Sequence, residues 1–260
     1  MVGYVLGAVK AWWALYFHSA KHKGIAQVIS SVLITGGTGF VGSWMHETLP
    51  AQIHGEFIGR EQYELGQWKF QKYDAIVHLA PISPADVLKA SRDGRILFAS
   101  SGAAKQRGQD YGYGYNKRLW ELDCRHSGAD VVIARLYAFC GERLSGAYAL
   151  TDFIRDAKAG GPIVIRGNGR AVRSYLYGKE LGLMMWGLLF NGEKGKTYEV
   201  GGKTPYTIAR VAQLVSEVIP AEIVIRNEKG VPNRSYLPEI GIPEHVKLKT
   251  AIERMANEHI

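Results

Sequence analysis

The stretch from Ser31 to Gly42 constrains the fold of this chain more than any other. It opens with an apolar run, Val32–Ile34, that is typical of a buried strand, and it leads through glycines into a helix predicted to start at Phe40. Bare backbone can turn tightly and approach a pyrophosphate, and the positive end of the helix dipole favours that charge. The turn therefore predicts a dinucleotide site, whose contacts here are Gly36, Gly39, Phe40, Val41 and Gly42.

Composition limits the class of protein. A chain of 260 residues with 47% hydrophobic content fits one large domain, or one domain with a small lobe. Only two cysteines, Cys124 and Cys140, are present, which favours a reducing, cytoplasmic compartment and no disulfide framework. The net charge of +8 is spread along the chain without a nucleic-acid-binding arm, so it indicates either an anionic small-molecule ligand or a basic soluble surface. No nucleic-acid partner and no metal site are predicted.

The amino-terminal segment is predicted to be a helix over residues 4–22, because its apolar residues recur at three- and four-residue steps. Lys10 interrupts it, and it is shorter than the ~20 apolar residues that span a bilayer. It lacks the basic start and cleavage site of a signal peptide. A packed structural helix is favoured over a membrane anchor, the alternative suggested by Trp12, Trp13, Tyr16 and Phe17.

Strands and helices alternate after this segment. Strands are predicted at 31–35, 57–58, 75–80, 96–99 and 131–134, and helices at 40–49 and 115–126. This order predicts an α/β fold, a Rossmann-like doubly wound parallel sheet over 31–145, with residues 1–30 packed on it. Residues 146–260 predict a small mixed α/β substrate lobe, with a segment at about 171–205 returning to the core. Its expected strands are 163–165, 197–200 and 222–225, and its helices are 149–159, 179–190 and 208–218.

Three positions near predicted strand ends carry candidate chemistry. Tyr113 and Lys117 lie four residues apart, so on one helix they share a face, and the cation would lower the phenol pKa from about 10. That makes Tyr113 a candidate general acid and base, although such pairs also arise by chance. Ser101 follows a strand and either holds a substrate oxygen or caps a turn. His78 is interpreted as a satisfied core residue, whereas Leu79 and Ala80 after it are expected to line the cofactor.

Together these residues resemble the extended short-chain dehydrogenase/reductase family, specifically its NAD-dependent epimerase/dehydratase group acting on nucleotide sugars. The resemblance runs from about 31 to 254. Its motifs are TGGTGFVG at 35–42, HLA at 78–80, the triad Ser101, Tyr113 and Lys117 with Glu121 after it, RLYAFCG at 135–141, PIVIRGNGRAVRSYLY at 162–177, and EVGG at 199–202 with Thr207.

The resemblance implies hydride transfer between C4 of a nicotinamide and a sugar carbon. Tyr113 would exchange the hydroxyl proton, Ser101 would orient the oxygen, and Lys117 would also hold the nicotinamide ribose. Arg173 and Arg234 would bind the substrate diphosphate, for which a guanidinium fork is suited. Ala138 stands where the family has a substrate-contacting asparagine. A homodimer through the Tyr113–Lys117 helix and the amino-terminal helix is also implied.

The chain departs from the family at several points. Residues between Pro81 and Arg95 leave too little room for the family's helix of about twenty residues, so we expect the amino-terminal helix to replace it, as in a permuted chain. Only eleven residues separate Ser101 from Tyr113, fewer than is usual, so substrate recognition is not carried over. Gly102 and Ala103 replace the Asp-Glu pair of 4,6-dehydratases, which favours an epimerase or a ketoreductase.

Cofactor and function follow from these residues. The second strand ends at Gly59 and Arg60, without the acid that binds a ribose 2′-hydroxyl, so NADP is favoured over NAD. The predicted function is an NAD(P)-dependent nucleotide-sugar epimerase or 4-ketoreductase. Two alternatives stay open: a reductase of a non-nucleotide carbonyl compound, and a non-catalytic dinucleotide-binding sensor or scaffold.

Overall fold

The computed structural model describes residues 29–64, 72–90, 94–106, 111–146, 148–231 and 234–258. The predicted helix at 4–22, its packing on the core and its replacement of the missing family helix lie outside these ranges. Within the described part of the chain, no helix is long and apolar enough to cross a membrane. The chain divides into two compact units.

The first unit includes the described residues up to Leu136 and the segment Lys179–Val200. It is built on a six-stranded sheet in which every pairing is parallel. The strand order β2-β1-β3-β4-β5-β9 is that of a doubly wound sheet, so the predicted α/β fold class is confirmed. The strands are β1 (Ser31–Thr35), β2 (His54–Ile58), β3 (Ala75–His78), β4 (Arg95–Ser101), β5 (Val131–Leu136) and β9 (Thr197–Val200).

Helices cover both faces of this sheet. They are α1 (Phe40–Glu47), α2 (Arg60–Glu64), α3 (Ala85–Ala90), α4 (Tyr113–His126) and α6 (Gly178–Asn191), and a 3-10 helix follows β4 at Gly102–Lys105. Leu33 and Ile133, both fully buried, pack with Cys124 of α4 in one core cluster. Val132 points to the opposite face and lies against Gly192 after α6. The buried central strands therefore hold their carboxyl ends rigidly along one edge.

The second unit comprises Tyr137–Gly178 and the chain from Gly201 onward. Its strands are β6 (Ala138–Cys140), β8 (Val172–Tyr177) and β10 (Pro205–Thr207), which form a three-stranded sheet, and β7 (Ile163–Ile165) and β11 (Ile223–Ile225), which pair in parallel. Its helices are α5 (Ala149–Lys158), α7 (Ile208–Val218) and α8 (Leu248–Asn257).

The division differs in detail from the predicted boundary at 145 and the predicted return at about 171–205. Because β6 pairs with β8 and not with the large sheet, the second unit starts at Tyr137. The segment that joins the first unit is Lys179–Val200, which supplies α6 and β9. Strand β6 and its pairing with β8 were not predicted from the sequence.

Two local predictions need correction, and the short segment after β3 is as expected. Helix α4 starts at Tyr113, two residues before the expected start at 115, so Tyr113 and Lys117 do lie on one helix. Strand β4 runs to Ser101, two residues beyond its expected end, so Ser101 belongs to the strand. Residues 81–95 contain the six-residue helix α3, which is far shorter than the family's helix.

Candidate active site

The glycine-rich turn packs against the end of β3. Gly36 has a φ of +71°, in the left-handed region that favours glycine, and a Cβ there would lie 2.8 Å from the backbone nitrogen of Ala80. A Cβ on Gly42 would lie 2.4 Å from the carbonyl oxygen of Gly37. Two of the three motif glycines are thus required by close backbone contacts, which set the turn between β1 and α1.

The start of α1 has the features of an anion site. Gly39 is its N-cap in extended conformation, and the first helical bond joins the Ser43 nitrogen to the Gly39 carbonyl at 2.8 Å. An α-helix offers no carbonyl partner to the amides of its first turn, and this turn carries no acidic residue. The predicted positions Gly39, Phe40, Val41 and Gly42 therefore lie together, and they fit the pyrophosphate of a dinucleotide.

The remaining predicted cofactor residues lie on neighbouring strand ends. Leu79 and Ala80 follow β3 and contact the turn at Gly36. Arg60 is the first residue of α2, directly after β2, and is exposed. Because β2, β1 and β3 are adjacent and parallel, these residues occupy one edge of the sheet.

Lys117 carries a buried charge. Only 3% of the residue is exposed, and its Nζ donates a hydrogen bond to the Ala99 carbonyl oxygen at 2.8 Å. The ammonium lies 5.0, 5.1 and 5.9 Å from the ring centroids of Phe98, Trp120 and Tyr113. Burial lowers the pKa of Lys117 to about 8, with the negative charge of Glu121 acting in the opposite direction.

Tyr113 is accessible at the start of α4. The residue is 56% exposed, and Gly112 before it has a φ of +89° that turns the chain into the helix. The predicted pair is thus realised as an accessible phenol with a buried ammonium one turn away on the same helix. This arrangement suits a group that exchanges a proton with a bound ligand.

Ser101 lies at the carboxyl end of β4, where its Oγ accepts a 3.2 Å hydrogen bond from the Ala103 nitrogen and caps the 3-10 helix. The capping role considered from the sequence is therefore present. Helix α4 packs directly on this 3-10 helix, because a Cβ on Gly114 would lie only 2.7 Å from the Ala103 carbonyl oxygen. The sequence did not predict this contact, which brings the segment after Ser101 close to Tyr113. The signal for it was Gly114 itself, a glycine between two tyrosines.

A buried carboxylate adjoins the triad and was also missed as a functional feature. Glu121 is 1% exposed, and its oxygens accept hydrogen bonds from Ser100, Arg125 and Arg135 at 2.6 to 3.0 Å. Burial raises the pKa of Glu121, but the hydrogen bonds from Arg135 and Ser100 outweigh it and hold the pKa below its usual value. The carboxylate is therefore ionised at neutral pH.

His78 has the structural role assigned to it from the sequence. It is fully buried, its Nδ1 lies 2.8 Å from the Thr35 Oγ1, and its Nε2 lies 3.3 Å from the Ile82 carbonyl oxygen. A carbonyl only accepts, so Nε2 carries the proton and Nδ1 accepts from the threonine hydroxyl. Burial lowers the pKa of His78 to about 4, which keeps the ring neutral.

The predicted substrate arginine lies in the second unit. Arg173 donates from Nη1 to the Val172 and Arg234 carbonyl oxygens, and its guanidinium stacks 4.4 Å from the Tyr236 ring centroid. It lines a cavity of about 460 Å³ whose other charged lining residues are Asp152, Arg155, Asp156, Arg166 and Arg226. Arg234 is not among the described residues that line this cavity. Its backbone carbonyl oxygen accepts a hydrogen bond from Arg173.

A smaller cavity of about 260 Å³ also includes Arg173. Ala138, the other predicted substrate contact, lines it among aromatic side chains, so the structure brings Ala138 and Arg173 to one cavity. The aromatic residues that line this cavity are Tyr137, Phe139, Tyr148 and Tyr175.

Within the described ranges, no group of three or more His, Cys, Asp or Glu side chains is placed to hold a metal ion.

The parallel sheet and its glycine-rich turn define a Rossmann-type α/β protein. Residues 84–201 match the model of the NAD dependent epimerase/dehydratase family. The match supports the family resemblance found in the motifs.

Curated relatives include UDP-glucuronic acid decarboxylases. The chain is 25% identical over 255 residues to UDP-glucuronic acid decarboxylase 1 of Danio rerio, a match that covers 72% of this chain but 60% of the relative. It is 24% identical to UDP-glucuronic acid decarboxylase 6 of Arabidopsis thaliana, with 83% of this chain and 82% of the relative covered.

Solved structures share the fold. UDP-glucose 4-epimerase from Thermus thermophilus, in complex with NAD, superposes with a TM-score of 0.70 at 20% identity, covering 87% of this chain and 98% of that chain. A UDP-glucuronic acid 4-epimerase mutant from Bacillus cereus gives a TM-score of 0.73 at 17% identity with the same coverage.

Proposed function

We propose that this protein is an NAD(P)-dependent enzyme that oxidises or reduces a ring carbon of a nucleoside diphosphate sugar, as an epimerase or a 4-ketoreductase. The observation that carries the proposal is the buried Lys117 ammonium one helical turn from the accessible Tyr113. A merely structural lysine would not need to be buried beside an exposed phenol at a strand edge that fits a dinucleotide.

Each residue of the triad has a role in this reaction. The Lys117 charge favours the phenolate form of Tyr113, which takes or returns the proton of the substrate hydroxyl. Ser101, whose Oγ accepts from the Ala103 amide, donates its own hydroxyl proton to the same substrate oxygen. A bound nicotinamide supplies or accepts the hydride. Lys117 also holds the nicotinamide ribose by hydrogen bonding.

The choice between reaction types rests on the 3-10 helix after Ser101. Gly102 and Ala103 carry no ionisable side chain, so these two positions supply no acid or base for eliminating water. This supports an epimerase or a ketoreductase over a 4,6-dehydratase. Decarboxylation of a UDP-uronic acid is the second candidate, because the curated relatives carry that name.

The same site favours NADP(H). Arg60 is exposed directly after β2, the strand that neighbours β1, and Gly59 offers no carboxylate for a ribose 2′-hydroxyl. A guanidinium in this position pairs with a 2′-phosphate. Consumable NADPH in turn favours a ketoreductase over an epimerase.

Substrate binding is assigned to the second unit. Arg173 is half-buried and fixed by two carbonyls and a tyrosine ring, so its fork is oriented before a ligand binds. It is proposed to bind the diphosphate, with Ala138 beside the sugar and Arg234 as the backbone support of Arg173 or a second diphosphate ligand. UDP-sugars are the first substrates to test, since UDP occurs in the names of several relatives.

Association and location complete the proposal. Leu119 and Leu122 are about 40% exposed on α4, the helix of Tyr113 and Lys117, and would be covered in a homodimer through this helix. The two buried, unbridged cysteines are consistent with a cytoplasmic enzyme.

The test pairs ligand binding with turnover. Melting temperatures are measured with NAD, NADP and a panel of UDP-sugars including UDP-glucose and UDP-glucuronic acid, because a ligand of the folded state raises the melting temperature. Products are then identified by NMR. Tyr113→Phe should bind the stabilising ligands yet lose at least about 100-fold in kcat. Tyr111→Phe, which removes a hydroxyl from a residue that is 81% exposed and outside the triad, is the matched control.

The outcomes separate the candidate functions. Full activity in Tyr113→Phe excludes the proposed chemistry. Cofactor binding without turnover of any sugar nucleotide indicates a sensor or scaffold, and turnover of a simple carbonyl compound that survives Arg173→Ala indicates a non-nucleotide reductase.

A further inference from the structure

The Glu121 carboxylate joins three elements of the first unit. Oε1 accepts hydrogen bonds from the Ser100 Oγ at 2.6 Å and from the Arg135 Nε at 2.7 Å. Oε2 accepts from the Arg135 Nη2 at 2.6 Å and from the Arg125 Nη2 at 3.0 Å. A buried carboxylate with four charge-assisted or hydroxyl donors has a fixed position, because any movement would leave a buried charge unsatisfied.

This carboxylate is one of two successive cross-links between α4 and β4. Lys117 bonds to the carbonyl of Ala99, and Glu121, one turn further along α4, bonds to the side chain of Ser100. The next residue of β4 is Ser101. The helix that carries Tyr113 and Lys117 is thus fastened to the two strand residues directly before the third member of the triad.

We infer that Glu121 is a positioning residue of the site: through Ser100 it fixes the end of β4 and hence Ser101 against α4, and it supplies the negative charge that accompanies the Lys117 ammonium. This role rests on the proposed function, and it concerns residues that touch neither substrate nor cofactor.

The charge around Lys117 gives the role a measurable signature. Burial lowers the pKa of Lys117 to about 8, and Glu121 acts against that shift, so removal of the carboxylate charge lowers the pKa further. His78 does not oppose this effect, because its own low pKa keeps it neutral. The other titratable or charged groups around this ammonium in the described residues are Tyr113 and Cys124 on α4, and Arg135 on β5 through its pair with Glu121.

The first experiment removes one hydroxyl. Ser100→Ala deletes the bond to Glu121 and leaves the pair between Glu121 and Arg135 in place. We expect kcat to fall about tenfold or more with little change in KM, because the reacting groups are misplaced while binding is retained. Ser127→Ala is the control, since it removes a serine hydroxyl that bonds to the Cys124 carbonyl at the far end of α4. A wild-type kcat in Ser100→Ala, or an equal loss in both variants, overturns the positioning role.

The second experiment removes the charge. Glu121→Gln should move the alkaline limb of the kcat profile to lower pH by about one unit, a change that a purely structural residue would not cause. An unchanged limb in folded protein overturns the electrostatic part of the inference.

A third measurement needs neither substrate nor cofactor. In ligand-free protein with 13C-labelled lysine, the Lys117 Cε resonance is assigned with Lys117→Arg and titrated. A lower midpoint in Glu121→Gln than in wild type supports the inference even if no sugar nucleotide is turned over, in which case the proposed function alone fails. Equal midpoints overturn the inference. If Glu121→Gln does not fold, Arg135→Gln, which removes the cation that offsets the Glu121 carboxylate, gives the titration: a raised Lys117 midpoint supports the inference and an unchanged one overturns it.

Discussion

Lys117 donates a hydrogen bond from Nζ to the carbonyl oxygen of Ala99 at 2.8 Å, while only 3% of the lysine is exposed. A carbonyl dipole stabilises an ammonium but does not neutralise it, so burial prevails and the pKa falls to about 8. The charge that is proposed to assist Tyr113 is therefore present at neutral pH and lost within the accessible alkaline range.

The pH profile of kcat should show this loss. Above pH 8 the lysine is neutral and no longer favours the phenolate of Tyr113, so the rate should decline as the pH rises through about 8. Steady-state rates from pH 6 to 10 measure the limb. Lys117→Met should lack the limb and lose about 100-fold or more in kcat at pH 7. A rate that stays level from pH 7 to 10 in the wild type contradicts the assignment.

Gly36→Ala should destabilise the protein more than a glycine with similar backbone geometry. Both Gly36 and Gly195 have positive φ, +71° and +75°, so alanine costs each about 1–2 kcal/mol of conformational strain. At Gly36 the added Cβ also meets the Ala80 backbone at 2.8 Å, whereas at Gly195 it meets no described atom within 4 Å. Chemical denaturation of the two variants measures the difference, and equal losses of unfolding free energy would refute the close packing of the turn on β3.

Arg60→Ala should change cofactor preference. Loss of a charge-assisted pair with a 2′-phosphate typically costs about 1.5–3 kcal/mol, which weakens NADPH binding by about 10-fold or more. NAD lacks that phosphate, so its affinity in the same variant serves as the internal control. Calorimetric titration with both cofactors checks the ratio, and an unchanged ratio would mean that Arg60 does not select the cofactor.

The strands and glycines that carry the candidate cofactor site were predictable because they follow local rules. Val32–Ile34 is a continuous apolar run bounded by a glycine turn, and such a run is expected of a strand buried on both faces of a parallel sheet. The spacing of Tyr113 and Lys117 places both on one helix face whatever the tertiary structure.

The rest depends on contacts between residues far apart in the chain, which no local pattern records. Ser100 and Arg135 reach Glu121 across 21 and 14 residues, so the buried carboxylate became apparent only from the packing of α4 on the sheet. The contact of Gly114 with Ala103 is of the same kind. Strand β6 was missed as well, and its pairing with β8 also joins residues far apart in the chain.

Arg173→Ala should weaken substrate binding more than it slows chemistry. The guanidinium is fixed by the Arg234 carbonyl and the Tyr236 ring, so a diphosphate meets an oriented fork. We expect KM for the sugar nucleotide to rise about 10-fold or more while kcat changes little. Arg173→Lys should not restore KM, since an ammonium has neither the fork nor the planar stacking. Full rescue by lysine would indicate a simple charge effect.

His78 should make the fold sensitive to acid. The unfolded imidazole has a pKa of about 6.5, but burial lowers the folded pKa of His78 to about 4, so between these values the unfolded state binds more protons than the folded state. Stability is therefore complete above about pH 6.5 and is lost as the pH falls toward 4, by about 3 kcal/mol at most. Urea denaturation at pH 7 and pH 5 measures the loss. His78→Asn, whose side-chain oxygen can still accept from the Thr35 hydroxyl, should be less stable at pH 7 but should lose less on acidification; an identical pH dependence in both proteins would show that His78 is not the group that titrates.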